Sequence, residues 1–304
     1  MLTGVLAGLA AGAFWGLVFV VPRLLNGFSP VDIAAGRYVA WGLLSALLVF
    51  GTPRERRWPT WPQLGAAFTM SVLGATGYYL LVVLAVRDAG TALPSLIVGT
   101  IPIWLMLLGK PGHLRWATLL PGLALTAAGL SLMFAAEQSS DVATDMVSNA
   151  AAHPHIWRGI ALAVVSMVSW TVFALYNAAW LRRHPEVTGT VWSNWLGLVT
   201  GASAVAMWMV AGSEAKSLLA QNQTALAALV FVATGVGSAW LGSILWNVAS
   251  RRLSTSLCGQ LIVSETLFAL FYSFVWDGAW PSPLQWAACV LFTLGIIASI
   301  RAHR

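Results

Sequence analysis

Glu265 stands about ten residues into an apolar run that begins near Thr255, and no other acidic residue lies near the middle of any such run. At a helical rise of about 1.5 Å per residue, the carboxyl falls close to the centre of a bilayer. A charge at that depth costs on the order of 2.5–3.5 kcal/mol to insert, so its presence asks for a reason. Two readings stand. Glu265 is either a neutral acid hydrogen-bonded to a neighbouring helix, or a cavity carboxyl that meets a substrate amine or a proton. Gln260 and Ser264 lie on the same helix and add a polar stripe beside it.

Rings are the second chemical resource. Trp15 and Trp170 fall mid-run in the first and sixth apolar segments, Tyr78 and Tyr79 in the third after Gly74 and Gly77, Trp104 in the fourth and Trp240 in the eighth. A lone aromatic in a span is ordinarily packing. Several that converge form a box that stacks a ring and holds an ammonium by cation–π attraction. Polar stripes accompany them: Ser166, Ser169 and Asn177 with Phe173 on the sixth run, and Ser243 with Asn247 on the eighth. In the fourth run Pro94 and Pro102 predict a kink beside a cavity, with Thr91, Ser95 and Thr100 available to the freed carbonyls. The candidate substrate contacts are therefore Trp15, Tyr78, Tyr79, Thr100, Trp170, Asn177, Trp240, Ser243, Gln260, Ser264 and Glu265. Arg37, two turns into the second run, either snorkels outward or pairs with Asp32.

Other chemistries find no residues. There is no phosphate-cradling Gly-rich loop with a Walker lysine, and no Ser–His or Asp–His pair within the apolar runs. All five histidines fall in loops or tails, so no buried metal site and no cofactor is expected. Cys258 and Cys289 sit at different depths and read as small buried apolar residues rather than a disulfide.

These residues must be positioned by membrane helices. The chain of 304 residues is 59% hydrophobic and 9% charged, far from the quarter charged that soluble domains carry. About ten runs of spanning length start near Thr3, Pro30, Pro62, Thr91, Trp116, Trp157, Val187, Thr224, Thr255 and Pro283. The first lacks a basic leader and reads as a span rather than a signal peptide. Gly4, Gly8, Gly12 and Gly16 give it one smooth face for a close neighbour. Trp58, Trp61, Trp116, Trp157, Trp280 and Trp286 mark the interfaces.

The chain also reads as written twice. Gly4 and Trp15 recur as Gly159 and Trp170, and Ala85-Val86-Arg87-Asp88 leading to Thr91 recurs as Ala249-Ser250-Arg251-Arg252 leading to Thr255. Five spans per copy invert the second copy, the architecture of proteins that open alternately to two sides. The expected fold is an all-α integral membrane protein of ten transmembrane helices in two inverted five-helix repeats, 1–136 and 157–304, joined by an external linker, 137–156. The net charge of +6 is concentrated in alternate turns, at Arg54, Arg56, Arg57, Lys110, Arg115, Arg182, Arg183, Arg251 and Arg252. That pattern predicts cytoplasmic termini and contact with the lipid bilayer, not with nucleic acid.

The two copies, the stretch Thr91 to Val98 ahead of Pro102, and its counterpart Thr255 to Glu265 resemble the EamA-type drug/metabolite transporter superfamily, most of all its bacterial aromatic amino acid exporters. The resemblance covers nearly the whole chain, though Thr266 follows Glu265 where members carry proline. It implies a ten-helix exporter of the bacterial inner membrane with a cavity built by helices three, four, eight and nine. The leading expectation is a secondary transporter exporting aromatic and other neutral amino acids by alternating access. A broad drug or cation exporter is the alternative within the superfamily, and a membrane-embedded enzyme or scaffold the alternative outside it.

Overall fold

Lipid offers a backbone no hydrogen bonds, so long apolar runs close their own helical ladders. The computed structural model describes residues 1–25, 27–51, 58–137, 154–278 and 280–303, whose regular structure is all helix. The principal helices are α1 (Leu2–Leu24), α2 (Pro30–Gly51), α3 (Trp61–Ala89), α4 (Ala92–Gly99 continued by Ile101–Leu108), α5 (Trp116–Glu137), α6 (Ile156–Arg183), α7 (Gly189–Ala211), α8 (Thr224–Arg252), α9 (Thr255–Asp277) and α10 (Pro283–Ala302). Among the described residues nine of them are long and apolar enough to cross a membrane, which makes this a multi-pass membrane protein. The exception is α4: the expected full span is a shorter apolar piece, Leu93–Leu108. The basic turn at Arg54, Arg56 and Arg57 and most of the expected linker, 138–153, lie outside the described residues.

Local chemistry sets the ends. At α10 the Ser282 amide donates to Gln285 Oε1 at 2.8 Å and the Gln285 amide donates back to Ser282 Oγ at 3.3 Å, with Pro283 next in line. Thr188 and Ser254 cap α7 and α9 by accepting from the Val191 and Leu257 amides, each at 3.2 Å. Gly278 stops α9 in the left-handed region at φ +61°.

Four helices depart from regular α geometry along their length. A 3-10 turn, Leu17–Val20, interrupts α1, and α3 breaks at Ala75 (φ −131°, ψ −92°). Thr100 hinges α4, where Pro102 removes an amide from the first turn of the second piece. A π-turn, Gly235–Leu241, widens α8. Side chains meet the carbonyls at these places. Ser169 Oγ donates to Leu73 O at 2.8 Å, Thr100 Oγ1 to Ile97 O at 2.6 Å and Trp15 Nε1 to Ser238 O at 3.1 Å. Irregular backbone of this kind is tolerated at membrane depth only inside protein or beside a cavity.

Glycines decide the packing. The glycines of α1 run along α9 in order: Gly4 faces Leu253 just ahead of that helix, Gly8 faces Leu261, Gly12 faces Ser264 and Gly16 faces Ala269. The two helices therefore run parallel at a distance no larger residue permits. Gly42 and Gly201 touch where α2 and α7 cross antiparallel, and Gly122 and Gly129 bring α5 against Ser299 and Phe292 of α10. In the middle, α1 packs on α8 and α9, and α6 packs on α3 and α4. These contacts put both chain ends on one face of the bundle, here called the terminal face, together with Lys110, Arg115, Arg182, Arg183, Arg251, Arg252 and Arg301.

Candidate functional site

Four of the irregular or central helices deliver rings to one place. The Trp15 ring of α1 lies 5.4 Å from Trp246 of α8, and Trp246 lies 6.2 Å from Trp170 of α6. Phe173, one turn along α6, meets Trp170 edge-on at 5.8 Å and packs into the break of α3 at Gly74. Tyr78, just past that break, joins the same apolar cluster. The fixed ends of these rings are explained by the backbone: the Trp15 indole is tied to a carbonyl of the π-turn, so its orientation follows from the widening of α8. Trp246 is 3% exposed, and its indole N–H has no partner among the described residues.

Beside the rings stand charges without partners. Glu265 is half-buried and its carboxyl makes no hydrogen bond or ion pair among the described residues. Its backbone packs against Gly12 and Gly16, and its carboxyl lies within electrostatic reach of Tyr78 and Arg37. The Arg37 guanidinium lies 4.7 Å over the Tyr38 ring, and its Nε is buried without a partner. Tyr79, whose hydroxyl donates to Pro30 O at 3.1 Å, is the other polar ring within its field. Ser243 is half-buried one turn from Trp246, and Thr100 faces Met167 Sδ at 3.2 Å from the hinge of α4.

Of the two readings of Arg37, outward snorkelling or a pair with Asp32, the pair does not form. Asp32 instead accepts from the Ser29 amide and hydroxyl at 3.1 and 2.6 Å, from the Ser213 amide and hydroxyl at 2.9 and 2.6 Å, and from Trp208 Nε1 at 3.1 Å. Five donors satisfy the carboxylate where α2 begins and α7 ends, and Arg37 is left facing inward. A second tie crosses the same end of the bundle. Arg158 of α6 forks onto Asp88 of α3 at 2.6 and 3.0 Å.

Several residues expected at the site are instead engaged by their own neighbours. Asn177 is 0% exposed: its Nδ2 donates to Asn247 Oδ1 at 3.1 Å, and its Oδ1 accepts from Trp192 Nε1 at 2.8 Å. Gln260, also 0% exposed, exchanges hydrogen bonds with Thr126 at 2.8 and 3.1 Å and accepts from Ser299 at 3.2 Å, tying α9 to α5 and α10. Ser264 donates to Leu261 O at 2.6 Å under the Gly12 contact. Trp240 donates to Asn194 Oδ1 at 2.8 Å and belongs to the cluster around α2 and α7 rather than to the Trp15 rings. The structure thus brings together Trp15, Tyr78, Trp170 and Glu265, with Tyr79, Thr100 and Ser243 at the margin. It adds Trp246, Phe173 and Arg37. Trp246 carried no mid-run signal, being six residues from the end of α8.

Comparison with known proteins returns one consistent picture. A family model described as the EamA-like transporter family matches residues 2–134. Inner membrane protein YtfF of Escherichia coli (strain K12) is 30% identical, over 99% of this chain and 96% of its own. Uncharacterized transporter YdfC of Bacillus subtilis (strain 168) is 23% identical over 61% of this chain and 56% of its own. A solved crystal structure shares the fold at TM-score 0.74 and 20% identity, covering 99% of this chain and 98% of that one.

Proposed function

The chain belongs to the EamA-like transporter family, and on that premise we propose that it exports amino acids, aromatic and other neutral ones, across the bacterial inner membrane by alternating access. The observation that carries this reading is the meeting of Trp15, Trp170 and Trp246 with Tyr78 beside an unpaired Glu265 deep in the bundle. Offset and tilted rings add about 0.5–1.5 kcal/mol per pair beyond burial, so an incoming aromatic side chain finds ready stacking partners. The carboxyl and the ring faces suit an ammonium.

The helix pairing supports two inverted repeats, 1–136 and 157–304, of five helices each. Exchanging α1 with α6, α3 with α8 and α4 with α9 turns the packing of α1 on α8 and α9 into that of α6 on α3 and α4. It also carries the antiparallel pairs α2–α7 and α5–α10 onto themselves. A site between two such halves is exposed to one side or the other as they rock, and the breaks at Ala75 and Thr100 and the π-turn of α8 are the places where the helices can bend. The basic terminal face is cytoplasmic by the positive-inside rule. Arg158–Asp88 and the Asp32 cluster then close the outer end.

One observation favours a second reading, export of organic cations or drugs: Glu265 is an unpaired carboxyl among rings. Purified protein in liposomes separates the two. Counterflow of labelled phenylalanine, exceeding that of a tetraalkylammonium dye, supports the amino acid reading. Movement of the dye without phenylalanine replaces it by the cation reading.

A further inference from the structure

Two opposite charges face the interior of this bundle and do not meet. Arg37 and Glu265 form no ion pair, and each lacks a hydrogen-bonded side-chain partner among the described residues. Burying an unpaired charge is costly, and opposite charges that attract without meeting recover only part of that cost until a ligand completes them. Their depths differ in a useful way. Arg37 lies about 10 Å of helical rise inside Pro30, and Glu265 about 18 Å inside Asp277. Those helix ends share one face, because α1 runs parallel to α9 and α2 begins where α1 ends. The guanidinium is thus nearer that face and the carboxyl is deeper, level with Trp15 between Gly12 and Gly16, with Trp246 deeper still toward the terminal face.

We infer that Arg37 and Glu265 are the two ends of a zwitterion clamp: the guanidinium takes an α-carboxylate, the Glu265 carboxylate takes the adjacent α-ammonium, and the Trp15, Trp170 and Trp246 rings receive the side chain. Arg37 suits the part because its planar fork matches a carboxylate. The Tyr38 ring beneath it supports the cation from the other side. Asp32, the nearest competitor by sequence, is already saturated by Ser29, Ser213 and Trp208. The charge pair also discriminates. A lone amine leaves Arg37 uncompensated and a lone acid leaves Glu265 uncompensated, so both are rejected by the group left unpaired rather than by poor fit. This inference rests on the amino acid reading above and specifies which part of the solute each residue reads.

The test uses three probes that share one ring: phenylalanine, phenethylamine without the carboxylate, and 3-phenylpropionate without the ammonium. Flux of each is measured in liposomes holding the wild type, Arg37→Gln or Glu265→Gln. Ratios within one preparation do not depend on how much protein folded. The wild type is expected to favour phenylalanine over both analogues by about 10- to 100-fold. Arg37→Gln collapses the phenylalanine to phenethylamine ratio, and Glu265→Gln collapses the phenylalanine to phenylpropionate ratio. An unaltered ratio in either variant overturns the clamp, as does a wild type that moves all three probes alike. A wild type that moves no phenylalanine removes the amino acid reading itself, and the clamp with it. If Arg37→Gln yields no folded protein, Arg37→Lys keeps the charge without the fork. The clamp then requires a measurable fall in the phenylalanine to phenethylamine ratio, and an intact ratio contradicts it.

Discussion

Asn177 and Glu265 are both polar side chains inside apolar helices, and the structure treats them oppositely. Asn177 is sealed between Asn247 and Trp192 with both ends of its amide engaged. Gln260 is held likewise by Thr126 and Ser299. Glu265, a little over one turn from Gln260 on the same helix, has no such partner, and neither has Arg37 Nε or the Trp246 indole N–H. A polar group that is saturated by its neighbours joins helices and resists motion. A polar group left open beside rings is a place for a solute. Saturation, rather than residue type or depth, separates the joints of this bundle from its proposed site.

The largest way to break that distinction is at a joint. Asn177→Leu strands the Trp192 and Asn247 polar groups together, each at about 1–3 kcal/mol. Melting temperature in detergent should fall clearly, while the apparent KM for phenylalanine in the surviving protein stays near the wild-type value. A KM change without a stability change would move Asn177 into the site. Next comes Glu265→Gln, which should melt close to the wild type and lose phenylalanine flux by about tenfold or more, since no internal partner depends on the charge. Strong destabilisation with normal flux per folded molecule would make Glu265 a joint after all.

Much of this was legible in the sequence and some was not. The apolar runs, the smooth glycine face of α1 and the isolation of Glu265 follow from spacing alone. Trp15 and Trp170 stood out because they occupy matching mid-run positions. Partners were not legible. Asn177, Gln260 and Ser264 have the types a substrate would want, and only the fold shows that Asn247, Thr126 and the Leu261 carbonyl already hold them. The alternative that paired Arg37 with Asp32 fails for the same reason. Ser213, which satisfies Asp32, is 181 residues away in sequence. The π-turn that ties down Trp15 leaves no mark in composition, so the place of Trp246 could not be read from helical periodicity.

Two smaller effects sharpen the comparison. Trp170→Ala should reduce transport of phenylalanine and tryptophan by the equivalent of about 0.5–1.5 kcal/mol beyond lost area, and that of threonine less. Equal losses for all three would leave the rings as packing. Asp88→Asn, at the fork where a buried carboxylate meets the half-exposed Arg158 guanidinium, should lower the melting temperature less than Asn177→Leu does, because the isosteric amide keeps an acceptor for Arg158. Its more informative readout is labelling of a cysteine placed at Leu93 from outside intact cells. Faster labelling than in the wild type fits a tie at the proposed outer end that has been loosened, and an unchanged rate argues that the pair does not close that end.

The central claim is that the open polar groups and the indole cluster together hold the solute. Photolabelling with 4-azidophenylalanine in liposomes, followed by peptide mass spectrometry, tests it directly. Adducts are expected on peptides carrying Trp15, Tyr78, Trp170 or Trp246, suppressed by excess phenylalanine. Competed adducts confined to the cleft between Phe28, Trp208 and Phe231, or to the exposed α10 surface around Trp286, would contradict it.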